Sequence, residues 1–140
     1  MIDLRGCVLL GLVVSLVLVT SALAEGFKVD ATCKNGATAT LTFETTKLEA
    51  LSPVKAELQL LDREKNPISS ALVYCSLYIP NVATGANNPK LKQGDEEGVY
   101  NGVVFFGNAG EWKASLTINF PGGGYEELTL DIGLVAAKKS

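Results

Sequence analysis

The chain has 140 residues and a mass of 14.8 kDa, with 47% hydrophobic residues, 19% charged residues and a net charge of −3. That length holds one domain. The absence of His excludes Ser-His-Asp and Cys-His catalysis and His-ligated zinc, and the mildly acidic balance argues against broad binding to nucleic acid, whose phosphates need clustered Lys and Arg.

Residues 1–24 read as a secretory signal peptide. Arg5 supplies a short positive region, Cys7 to Val19 is an almost unbroken apolar run, and Ala22-Leu23-Ala24 gives the small-x-small cleavage pattern. The mature chain is then expected to start at Glu25. The other reading is an uncleaved anchor, for which the run is short, since roughly 20 apolar residues cross a bilayer. The expected product is an exported protein, periplasmic or extracellular, meeting the membrane only through an uncleaved signal segment.

Alternation of apolar and polar residues dominates from residue 27 onward and predicts strands. The first runs from Phe27 to Lys34, and Asn35-Gly36 is a hairpin signal because both residues tolerate positive φ. The second puts Ala37, Ala39, Leu41 and Phe43 on one face. Residues 46–53 connect, with room for a single helical turn. The third sets Val54, Ala56, Leu58 and Leu60 against polar neighbours, and Asp62 to Pro67 is a charged turn. The fourth, Ala71 to Ile79, is closed by Pro80.

A polar loop from Asn81 to Glu97 leaves space for a short edge strand near Lys90–Lys92. Gly98 to Phe106 is apolar on both sides, so one of Val103 and Phe105 is a candidate exposed patch. Trp112, Ala114, Leu116, Ile118 and Phe120 alternate cleanly. After the Pro121–Gly124 turn, the last strand is expected to point Leu128, Leu130, Ile132 and Leu134 inward, and residues 136–140 form a frayed tail. Short strands with turns every 8–12 residues predict an all-β domain over residues 25–135. The expected form is an immunoglobulin-like antiparallel β-sandwich of about seven strands, with a small barrel as the other solution.

Pro53 to Ile118 resembles the YtkA-like domain, an exported β-sandwich family related to the FixH type. The resemblance rests on Leu61-Asp62, Asn66-Pro67-Ile68 and Ala71-x-Val73 up to Pro80, on Glu97-Gly98-Val99-Tyr100-x-Gly102, and on Ala109-Gly110-Glu111-Trp112 opening a strand. Gly98 and Gly110 suit positive φ, and Tyr100 and Trp112 bury large rings whose polar atoms need partners. The resemblance implies metal handling or assistance to membrane oxidase assembly. Many members carry Met and His after the proline that matches Pro80, but here Asn81 to Pro89 holds no Met, His or Cys. Soft ligands for copper are therefore missing from that loop, and neither metal nor cofactor is expected.

Cys7 leaves with the signal, so Cys33 and Cys75 form an even pair in an exported domain, both on apolar faces. This predicts a disulfide worth about 4 kcal/mol in the chain-entropy model; the alternative is two buried free thiols. Asp95-Glu96-Glu97 reads as a solvated turn, and Glu126 and Glu127 face opposite ways across a strand start. No catalytic constellation emerges, and the chain is not expected to be an enzyme.

If Val73, Cys75 and Leu77 face the core, Tyr74, Ser76 and Tyr78 line the outer face, either as an exposed aromatic stripe or packed beneath the 81–97 loop. The candidate partner-binding residues are Tyr74 and Tyr78 with Asn81, Asn87 and Asn88 of the following loop. The expected role is protein–protein contact in an extracytoplasmic assembly, as an accessory, chaperone-like or structural subunit. The partner would be another envelope or extracellular protein, engaged through the aromatic patch or a strand edge.

Overall fold

A computed structural model describes residues 26–83 and 89–139. The expected signal segment, Asn87 and Asn88 lie outside them. Among the described residues there are eight strands and no helix: β1 (Phe27–Thr32), β2 (Thr38–Phe43), β3 (Pro53–Leu61), β4 (Leu72–Tyr78), β5 (Lys90–Gln93), β6 (Val99–Phe105), β7 (Gly110–Asn119) and β8 (Tyr125–Val135). All pair antiparallel, in the order β1-β2-β3-β6-β5-β4-β7-β8.

The short β5 is the joint. It pairs with β6 through Lys92 and Gln93 and with β4 through Lys90 and Leu91, so one hydrogen-bonded sheet folds round on itself. At the far ends, Ala136 exchanges backbone hydrogen bonds with Leu48 and Ala50 of the β2–β3 connection (2.9 and 2.8 Å). The sheet is thereby nearly closed, between the expected sandwich and the expected barrel. This connection is built of bends and a bridge at Glu49 in place of a helical turn, because its backbone groups pair with the chain beyond β8.

Period-two alternation places the core. Leu41, Phe43, Leu58, Leu60, Val73, Leu77, Leu116 and Ile118 are fully buried, with their strand neighbours turned outward. Phe27, Phe43, Phe106 and Trp112 form a chain of rings at centroid spacings of 6.1, 6.0 and 5.1 Å, the tilted and edge-on contacts that aromatic quadrupoles favour. Trp112 Nε1 donates to the Asn108 carbonyl at 2.9 Å. Tyr100 Oη donates to the Ile68 carbonyl at 2.7 Å and accepts from the Ala71 amide at 3.1 Å. Through these two bonds β6 holds the segment that launches β4. Gly98 has a φ of 74°, and a Cβ there would stand 2.6 Å from that of Pro67.

Three expectations change. The β1–β2 turn uses positive φ only at Gly36 (91°): Gly36 donates to the Cys33 carbonyl, and Asn35 accepts from the Ala37 amide through Oδ1. It is a three-residue turn ending on glycine, whose twist suits the flanking strands. Leu134 is 68% exposed, not inward. The pairing of β7 with β8 skips from Trp112–Gly133 to Lys113–Asp131, and Gly133 takes a φ of 99°. The extra residue reverses the alternation, so Val135 enters the core and Leu134 leaves it.

The third change concerns the cysteines. Cys33 and Cys75 both face the interior, as their alternation requires, but they are separate free thiols. Cys33 lies at the β1–β2 turn, where the charge of Glu126 on β8 reaches it, while Cys75 lies on β4, with β7 between it and β8. The expected disulfide is not formed in this structure.

Candidate functional site

The strand order sets β5, β4, β7 and β8 side by side, and their outward positions make one open face. Along β4 these are Leu72, Tyr74, Ser76 and Tyr78; the register puts Asn119, Thr117, Ser115 and Lys113 of β7 beside them in turn. Beyond β7, Tyr125, Glu127, Thr129 and Asp131 of β8 continue the same rows. Tyr74 is 40% exposed, Leu72 is exposed, and Ser76 and Tyr78 are half-buried. The stripe is therefore partly open. Tyr74 and Tyr78 are four residues apart, roughly 13 Å along an extended strand.

Charged groups fix the edges of this face. Lys90, the β5 neighbour of Tyr74, holds its Nζ 5.9 Å from the centre of that ring, within cation–π range. Lys113 pairs with Asp131 across the β7–β8 ladder, and this carboxylate raises the lysine's pKa. Two outward rows on, past Ser115 and Thr129, Glu127 stands beside Thr117. Tyr125, 66% exposed, stands at the end of β8. Large rings, a branched apolar side chain and short hydroxyls share the face, a composition suited to binding another surface.

Of the residues singled out from sequence, Tyr74 and Tyr78 lie together on this face, and Asn81 is exposed just past the end of β4, with a φ of 64°. Sequence reading missed Leu72, Lys90, Thr117, Glu127 and Tyr125 as members of the face. Each alternates outward on its own strand, but only the non-local order β5-β4-β7-β8 brings them together.

The other sites separate cleanly. Asp95, Glu96 and Glu97 form an exposed turn before β6. Glu126 is half-buried and Glu127 exposed, on opposite sides of β8. Val103 and Phe105 are both exposed, on the outer side of β6 beside Lys55 and Pro53. Near them the β2–β3 connection borders an open groove of about 420 Å³ over Leu48 and Phe106. Among the described residues, no three His, Cys, Asp or Glu side chains gather where they could hold a metal ion. No protein-family model and no curated protein matches this chain.

Proposed function

We propose that this protein is a non-catalytic, exported module that makes protein–protein contacts in an extracytoplasmic assembly, as an accessory, chaperone-like or structural subunit. The observation that carries this reading is the outer face of β4, β7 and β8, where Leu72, Tyr74, Tyr78 and Tyr125 stand partly or largely open on one sheet surface. Tyrosine combines a rigid ring with a polar tip and loses little conformational freedom in a contact. Export rests on the residue pattern of positions 1–24.

The strand order supports an immunoglobulin-like reading of the fold. β2, β3, β6 and β5 match a four-strand sheet, β4, β7 and β8 match a three-strand sheet, and β1 is added at the edge. The resemblance to YtkA-like domains belongs to the same reading. Its Gly-x-Tyr and Gly-Glu-Trp motifs coincide with the Tyr100 and Trp112 anchors, which serve the core.

The test is co-purification from envelope and extracellular fractions of the source cell, without reductant, comparing the wild type with a Tyr74→Ser/Tyr78→Ser variant. The wild type should travel with a defined partner or assembly and the variant should elute alone, with an unchanged thermal transition. Equal recovery of the partner by a folded variant would remove these tyrosines from the contact.

A further inference from the structure

The tyrosine face carries a charge pattern that identifies one partner. A single row crosses it: Lys90 on β5, Tyr74 on β4, Thr117 on β7 and Glu127 on β8. The cation and the anion stand at opposite ends, roughly 14 Å apart across three strand spacings. The midpoint falls between β4 and β7. A row of this kind is complementary to itself when turned over about an axis that runs along the strands through that midpoint. Lys90 then meets Glu127 of the second copy at both ends, and Tyr74 meets Thr117. In the row of Tyr78 and Lys113, the same rotation sets the Tyr78 ring against the Lys113 ammonium of the other copy.

The second in-plane axis, across the strands, would set Lys90 against itself. The charges therefore select one two-fold arrangement. Two-fold dimers of this self-complementary type are the commonest closed assemblies of soluble proteins.

We infer that this chain forms a two-fold dimer through the outer face of β4, β7 and β8, with Lys90 of each copy paired to Glu127 of the other around the tyrosines. The inference rests on the reading of this face as a contact surface and names its occupant, a second copy. The flat footprint, roughly 14 by 24 Å from strand spacing and rise, is smaller than the ~800 Å² per partner of a standard interface. The dimer is accordingly weak and concentration-dependent.

Sedimentation equilibrium of the full protein, at low and moderate salt, tests it with charge swaps. The wild type should show a reversible monomer–dimer equilibrium. Lys90→Glu alone, or Glu127→Lys alone, places like charges together at both ends of the row and should weaken the dimer about tenfold. The double variant Lys90→Glu/Glu127→Lys should restore it to within about threefold, because the row is reversed intact. Both sites are exposed on the surface, and thermal transitions check that each variant folds.

A wild type that stays monomeric to millimolar concentration, single swaps without effect, or a double swap that fails to recover would each overturn the dimer. These outcomes are separable from failure of the contact reading. If the swaps do nothing but Tyr74→Ser/Tyr78→Ser strips a different partner, self-pairing fails and the face stands. If the tyrosine variant keeps both its dimer and its partner, the face itself fails.

Discussion

Removing one oxygen from Tyr100 tests how the fold presents the candidate face. Tyr100 is fully buried, and its hydroxyl bonds both the Ile68 carbonyl and the Ala71 amide, immediately before β4. Tyr100→Phe keeps the ring and the packing but leaves that carbonyl and that amide without their partner. An unsatisfied buried group costs about 1–3 kcal/mol, and partial access of the Ile68 side lets water recover some of it, so the expected loss is about 2–3 kcal/mol. For a domain of this size, 1 kcal/mol moves the transition by about 4 °C, so Tm should fall by about 10 °C.

The assay is urea and thermal unfolding followed by tryptophan fluorescence, since Trp112 sits in the core at 2% exposure. Native-state hydrogen exchange adds a local reading: the Ala71 amide should exchange faster than in the wild type. Tyr125→Phe, at a largely exposed site, is the control and should stay within about 0.5 kcal/mol of wild type. A Tyr100→Phe loss no larger than that control would refute the claim that these two bonds hold the start of β4.

Other outcomes follow from the same structure. Burial pushes the Cys75 thiol up to about 12 from 9.0. The folded chain therefore keeps a proton that the unfolded chain releases. Stability is complete below pH 9 and should fall by about 1 kcal/mol per pH unit between pH 9 and 12. Urea titrations at pH 8 and pH 10.5 should show that slope in the wild type and a shallower one in Cys75→Ala. Thiol counting in denaturant without reductant should find Cys33 and Cys75 both free; a count that includes neither would show that the two are joined.

Gly98→Ala should cost more than 2 kcal/mol, since positive φ and a 2.6 Å approach to Pro67 act together. Gly133→Ala, with positive φ but nothing within 4 Å, should cost about 1 kcal/mol from backbone strain alone. Equal losses at the two sites would show that crowding by Pro67 is unimportant.

The strands themselves were legible because the face of a strand is a local property. Alternation identified the inward side chains of β2, β3, β4 and β7, and large buried rings with polar tips marked Tyr100 and Trp112 as anchors. Leu134 was misplaced because one extra residue in β8 reverses the alternation, and a bulge is set by the pairing partner rather than by the strand's own pattern. The cysteines show the same limit. Their facing was legible, but whether two inward residues pair depends on how their strands are placed across the core.

The candidate site was half visible for that reason. Tyr74 and Tyr78 announce themselves within a single strand, whereas Lys90, Thr117 and Glu127 join them only through pairings of β5, β7 and β8. Turn chemistry was partly legible. Asn35-Gly36 marked the right place, but the side chain of Asn35 serves as an acceptor for Ala37 and leaves the positive φ to Gly36 alone.

The central claim is that the outer face of β4, β7 and β8 is covered in the working protein. Surface nitration of tyrosines, read by mass spectrometry, measures this directly. The protein would be labelled in its native assembly and again after dilution and dissociation. In the dissociated form Tyr74 and Tyr125 should label readily, as their exposure requires, and Tyr100 should stay unmodified. In the assembly Tyr74 and Tyr78 should be protected severalfold. Equal labelling of Tyr74 and Tyr78 in the two states would contradict the account.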